Sequence, residues 1–294
     1  MVTGVVGAAA GWTLFAALAA ALGAVAARWV LLPAVPEAPE ELLRRAARVG
    51  RNALLMGLAG LVLTSVRQFL DFRDPFVPWT EDAHALLAHT PWGRTWHVAV
   101  AGALVGAVGL HFAARGARWG WWAATPLVLA LGAYPAFNGH ANAAEPRALA
   151  LAADTLHVWA AGGWMGGLAL VLLLARGARD GGRGGDLLPE LVPPFSRMAR
   201  FSVATLALTG LYAAWLHVEG WGGLTSTDYG RLLVLKLLLA AGALSLGAVN
   251  AWRWTPLLGR MEGRTGLRRT ATWELAVASL VLLVTAVLVH TPPG

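Results

Sequence analysis

Apolar residues run through this chain in long blocks rather than in alternation or in narrow amphipathic stripes. Eight such blocks fall at about 5–32, 49–70, 92–115, 119–138, 149–175, 196–217, 230–253 and 271–290. Each is close to the roughly 20 helical residues that cross a hydrocarbon core of about 30 Å. Proline and glycine clusters separate most of them, as in Leu32-Pro33-Ala34-Val35-Pro36, Asp180-Gly181-Gly182 and Pro193-Pro194. The pattern predicts an all-α polytopic membrane protein with eight transmembrane helices, forming one transmembrane domain over residues 1–294.

Composition removes the soluble alternative. Of 294 residues, 57% are hydrophobic and 13% charged, with a mean hydropathy of +0.59, far from the usage of a soluble globular domain. The apolar start, Met1 to Ala27, has no basic residue ahead of it and reads as a first span rather than a cleaved signal peptide. There is no cysteine, so thiolate ligands, disulfides and thiol catalysis are excluded. A metal would have to be held by histidine, methionine, carboxylate or carbonyl.

The net charge of +7 sits between the apolar blocks rather than on one polar face, which argues for membrane topology and against nucleic acid. Alternate turns carry seventeen arginines, Arg28, Arg44, Arg45, Arg48, Arg51, Arg115, Arg118, Arg176, Arg179, Arg183, Arg197, Arg200, Arg253, Arg260, Arg264, Arg268 and Arg269. The opposite turns carry five, Arg67, Arg73, Arg94, Arg147 and Arg231. This bias predicts a multi-pass membrane protein with both termini outside.

The halves echo each other. Thr90-Pro91-Trp92-Gly93-Arg94 opens the third block and Thr227-Asp228-Tyr229-Gly230-Arg231 the seventh, Leu63-Thr64 and Leu208-Thr209 fall in the second and sixth, and His140 and His290 follow the fourth and eighth. A 4+4 internal repeat, pseudo-repeats at about 1–141 and 147–294, is expected, related by an axis along the membrane normal.

Seven of the eight histidines, His84, His89, His97, His140, His157, His217 and His290, project to the expected outer side, while His111 lies at an inner end. Eight acids, Asp71, Asp74, Glu81, Asp82, Glu145, Asp154, Glu219 and Asp228, share that side with the five arginines. Such a surface suits capture of a cation. His157 is inside an apolar block, where an ionisable group is costly and points to a functional interior. Asp154 three residues before it and Trp164 seven after it share its helical face, so the carboxylate can orient the ring.

Gly162/Gly166 and Gly163/Gly167 allow close helix approach, and the Asn138-Gly139-His140 end of the fourth block is the nearest neighbour in sequence, which suggests a two-helix His140/His157 site. Met165 and Met56 supply soft thioethers near mid-membrane, and His97 and His290 complete the candidate ligands. Lys236 lies at membrane depth, where it is expected to pair with Asp228 or a carbonyl, or to gate a cation path by repulsion. Arg231 stands beside it in the same block. Snorkelling accounts for Arg67, and the fifteen tryptophans are expected at the interfaces.

Residues 137–255 resemble the copper resistance D (CopD) family of bacterial inner-membrane proteins. The resemblance is carried by Gly139-His140-Ala141, Asp154-Thr155-Leu156-His157, Trp164-Met165-Gly166-Gly167-Leu168, Phe195-Ser196-Arg197, Leu208-Thr209-Gly210, Asp228-Tyr229-Gly230-Arg231-Leu232-Leu233, Lys236 and Asn250. It implies a plasma-membrane protein that handles copper, as Cu+ or Cu2+, commonly by import with a periplasmic copper-binding partner. Some relatives carry such a periplasmic domain; none is visible up to Gly294, so delivery by a separate protein is expected.

The expected function is therefore copper transport or handling rather than enzyme catalysis, with the lipid bilayer, the copper ion and a periplasmic copper-binding protein as partners. No Gly-Lys-Ser/Thr nucleotide loop is present to power it. Two alternatives stand beside it. A b-type haem protein would use histidine pairs on facing helices, and a membrane assembly factor would deliver copper to a respiratory oxidase.

Overall fold

Gly166 and Ala19, 147 positions apart in the sequence, bring two backbones so close that a β-carbon on the glycine would overlap the Ala19 carbonyl oxygen. Around this crossing the computed structural model describes residues 2–35, 40–177, 186–217 and 220–292, without the side chains of Val2, Thr3, His140, His217 and Trp221. The described residues form helices and no strand.

The helices are α1 (Val2–Ala26), α2 (Glu40–Phe72), α3 (Trp79–His89), α4 (Pro91–Ala114), α5 (Trp119–Asn138), α6 (Arg147–Ala161), α7 (Gly167–Gly177), α8 (Leu188–His217), α9 (Gly220–Ser226), α10 (Asp228–Val249) and α11 (Met261–Leu288). A π turn at Gly162–Gly166 joins α6 to α7 as one rod, and further π turns at Ala27–Leu31 and Asn250–Trp254 extend α1 and α10. Seven helical rods among the described residues are long and apolar enough to cross a membrane. The eighth expected span, 119–138, is α5, a helix of 20 residues whose tryptophans at 119, 121 and 122 and prolines at 126 and 135 dilute its apolar character. Its length still matches a bilayer core.

Helix α1 is the centre of the bundle. It carries no charged residue between Val2 and Ala26, and Ala10, Ala17, Ala21, Leu22 and Ala24 are buried. Helices α2, α5, α7 and α11 pack around it. Lipid tails are as apolar as leucine, so helices associate here through close packing of small residues rather than through a hydrophobic drive. Gly60 faces the Leu14 backbone, Gly50 faces Ala24, Gly11 faces Ala286 and Gly23 faces Gly166. Large apolar side chains on α8 and α10, such as Phe201, Leu208, Leu211 and Leu238, are instead exposed, as a lipid-facing perimeter requires.

The glycine pairs expected to serve close approach divide between two neighbours. Gly162 and Gly166 face Leu22 and Ala19 of α1, whereas Gly163 and Gly167 face Ser202 and Met198 of α8. The tryptophans also do more than form an interfacial belt. Indole N–H groups of Trp12, Trp29, Trp96, Trp159, Trp164 and Trp254 donate to Ser279, Thr125, the Leu61 carbonyl, the Leu129 carbonyl, Glu274 and Thr270 respectively. Each of these bonds ties one helical rod to another, where apolar contact alone specifies little.

The entries to α4 and α10 are built alike. Thr90 follows the short α3, accepts a hydrogen bond from the Gly93 N–H at 2.9 Å and donates to the Leu86 carbonyl. Thr227 follows the short α9, accepts from the Gly230 N–H at 3.0 Å and donates to the Gly223 carbonyl. Gly93 and Gly230 are both required for space, since a β-carbon would overlap the Leu87 carbonyl oxygen at the first and the Gly223 carbonyl oxygen at the second.

Candidate functional site

Helices α6, α8 and α10 bring polar side chains to a common place in the apolar part of the bundle. From α6, the His157 ring lies with Nδ1 2.8 Å from Thr209 Oγ1 of α8. The Thr209 hydroxyl itself donates to the Thr205 carbonyl at 2.7 Å, so its oxygen is left to accept. With the Thr209 proton on the Thr205 carbonyl, the His157–Thr209 bond takes its proton from His157 Nδ1. A neutral imidazole held this way carries its lone pair on Nε2, the form in which histidine binds metal.

Gly210 lies beside the ring, where a β-carbon would make ordinary contact at 3.7 Å from His157 Cε1. From α10, Lys236 is near enough to act electrostatically on both His157 and Asp154. Asp154, Lys236 and His157 thus form one half-buried polar group, made costly by its surroundings and retained at membrane depth. The sequence suggests Asp228 as the partner of Lys236, but the structure gives Asp228 to Arg231, at 3.6 Å on the exposed start of α10. Arg231 also donates to the Thr225 carbonyl and so ties α9 to α10.

From the His157 partner, α8 continues with Thr205, Ser202 and Met198 at helical spacing, one above the other. All three line a cleft of about 640 Å³ between α1, α6 and α8, together with Leu22, Trp159 and Gly163. The lining is mostly apolar, and on α8 the hydroxyls of Thr205 and Ser202 and the Arg197 side chain are its polar members.

The remaining candidates lie elsewhere. Met165 is buried in the central apolar core, and Met56 is exposed on α2. His97 Nδ1 bonds the Gly93 carbonyl of its own helix at 2.7 Å, with its ring edge-on to Trp96. His290 lies with Arg67 against Gly7 of α1, and Arg67 pairs with Asp71 at 2.8 Å. The His140 backbone forms a 3-10 turn after α5, but its side chain lies outside the described residues. Among the described residues no three of His, Cys, Asp and Glu come together as a metal cluster.

Sequence reasoning missed Glu274. This carboxylate sits in α11, buried, and accepts hydrogen bonds at 2.8 Å from the Trp164 indole and the Asn250 amide. Its signal in the sequence is a lone acid in the apolar block 271–290, close enough to the end of the block to pass for its boundary. Trp164, placed on the His157 face by helical spacing, is buried against this second carboxylate instead.

Comparison with known proteins points to the same family as the resemblance. The family model described as Copper resistance protein D matches residues 189–288. A copper transport protein CutJ of Bacillus subtilis (strain 168) is 34% identical over 181 residues, covering 60% of this chain and 32% of the relative. A copper resistance protein D of Pseudomonas syringae pv. tomato is 27% identical over 257 residues, covering 82% of this chain and 80% of the relative. The chain thus spans about a third of the length of the Bacillus protein. No solved structure matches it.

Proposed function

We propose that this chain, which is similar to the copper resistance protein D family, carries copper ions across the bacterial plasma membrane, from periplasm to cytoplasm. The arginine distribution supports an orientation with both termini and the Arg147 end of α6 on the periplasmic side. The observation that carries the reading is the 2.8 Å contact between His157 Nδ1 and Thr209 Oγ1, which engages that ring nitrogen and makes Nε2 the one offered to an ion.

In this reading His157 and His140 take the ion from a separate periplasmic copper-binding protein. Asp154 supplies negative charge beside the ring. Lys236 neutralises that carboxylate while no ion is present and opposes entry of a second cation by repulsion. The α8 edge of Thr205, Ser202 and Met198 leads the ion inward, and an imidazole-to-thioether route suits Cu+.

The test is copper analysis of purified wild-type protein and of His157→Ala and His140→Ala, with copper flux measured in proteoliposomes. Bound copper is expected to fall in each variant and inward flux to disappear. Equal copper in all samples overturns the site. A Soret band would make the chain a haem protein, and bound copper without flux would make it an assembly factor.

A further inference from the structure

The three π turns do not have the same surroundings. Those at Gly162–Gly166 and Asn250–Trp254 each aim one polar side chain at the same carboxylate. Trp164 Nε1 donates to Glu274 Oε1 at 2.8 Å, and Asn250 Nδ2 donates to Glu274 Oε2 at 2.8 Å. Single-turn π bulges often mark functional positions in helices. Here two of them converge on one acid, which is 3% exposed.

Among the described residues no cation pairs with Glu274, and its hydrogen-bond partners are the neutral Trp164 and Asn250. Helix α1, packed against α11, has no charged residue. On α10, Gly247 faces the carboxyl, and the nearest charges in sequence on that rod are Lys236 and Arg253, the latter stacked over Trp254. On α7 the one charge is Arg176, about three turns beyond Trp164. On α11 itself, Arg268 is held by Asp186 at 2.8 Å and Arg269 lies more than a turn before Glu274.

Asn250 supplies the second observation. It is 9% exposed, and its Oδ1 is buried with no hydrogen-bond partner. A buried acceptor without a donor costs free energy unless another state uses it. In the observed rotamer the amide offers a donor to the carboxylate. Turned by half a rotation, it offers Oδ1 to accept the O–H of a protonated Glu274, while Trp164 keeps its bond to the other oxygen. One side chain thereby satisfies both protonation states.

We infer that Glu274, cradled by Asn250 and Trp164, is a reversible proton-binding site, and that its proton exchange drives the movement of copper. The second clause rests on the copper-transport reading; the first does not. Hard carboxylate and amide oxygens make this a poor site for Cu+, which separates it chemically from His157. The step takes one proton from water onto a Glu274 oxygen and returns it to water, with no change of oxidation state.

Infrared difference spectra of the copper-free protein in lipid nanodiscs, recorded across pH steps, test proton binding. A carboxylic-acid C=O band that appears on acidification in wild type, is lost in Glu274→Gln and is retained at a shifted frequency in Glu274→Asp is expected. No titrating band in folded wild type, or an unchanged band in Glu274→Gln, overturns the site. In proteoliposomes an imposed pH gradient is expected to change wild-type copper flux, while in Glu274→Gln the flux ratio with and without the gradient falls to one. A gradient response that survives in Glu274→Gln overturns the coupling. Wild type that moves no copper overturns the transport reading and the coupling together, and the infrared titration then still decides the proton site.

Discussion

His157 and Thr209 stand 52 positions apart and meet at 2.8 Å across the α6–α8 interface. Thr209 Oγ1 also lies 2.7 Å from the Thr205 carbonyl, and with its proton there the pair runs from ring N–H to hydroxyl oxygen. A threonine that elsewhere would only bond back to its own helix here selects which imidazole nitrogen faces the interior.

Thr209→Val should therefore weaken copper binding while leaving the fold intact. The methyl that replaces the hydroxyl keeps the volume but frees the ring to rotate and change tautomer. Losing an outer partner of a histidine ligand costs about 10- to 100-fold in metal affinity, and Thr209→Ser should restore most of it. Competitive copper titration of the three proteins checks this; unchanged affinity in Thr209→Val would remove His157 from the site.

Lys236→Gln should act in the opposite direction. The ammonium lies within electrostatic reach of both Asp154 and His157, so its removal lets the Asp154 charge act on an incoming cation and ends the repulsion. Copper affinity is expected to rise by about tenfold, the effect of roughly 1.4 kcal/mol, with slower release in a flux assay. A fall in affinity would show that Lys236 holds the site together instead of opposing the ion.

The crossing helices were legible because a span of about 20 apolar residues is a one-dimensional signal. Only the apolar strength of α5 departed from the pattern, through its tryptophans and prolines. The site was legible in part. His157, Asp154 and Lys236 declared themselves as ionisable residues inside apolar blocks, yet nothing in the sequence distance between Lys236 and Asp228 warned that Arg231 would take that acid. Thr209 was visible as a residue but not as a partner, since spacing gives the face of a helix and not the neighbour that meets it. Glu274 was hidden by the same limit. Its meaning comes from Trp164 and Asn250, 110 and 24 positions away, and from π turns that hydrophobic periodicity does not announce.

Gly166→Ala should destabilise the bundle severely. The new carbon would overlap the Ala19 carbonyl, and backbone cannot move aside as a flexible side chain can. A cost of about 3 kcal/mol or more follows from overpacking a close crossing. Gly222→Ala is the control, because nothing lies within 4 Å of its position. Thermal unfolding in detergent should separate the two sharply; a Gly166→Ala protein as stable as wild type would mean that α1 does not cross α6–α7 at this glycine.

Asp186 and Arg268 make the most buried of the described ion pairs, at 2.8 Å with side-chain exposures of 4% and 17%. They clamp the start of α8 to α11, and Asp186 also accepts from the Leu188 N–H at 3.1 Å. Removing one partner strands the other in a site that excludes most water, so Asp186→Ala should cost about 3 kcal/mol. The double variant Asp186→Ala/Arg268→Leu should recover much of that loss, since no charge is then left buried. Unfolding midpoints of the single and double variants decide the matter; a double variant as unstable as the sum of its singles would show that the two residues act independently and that their contact contributes nothing to holding α8 against α11.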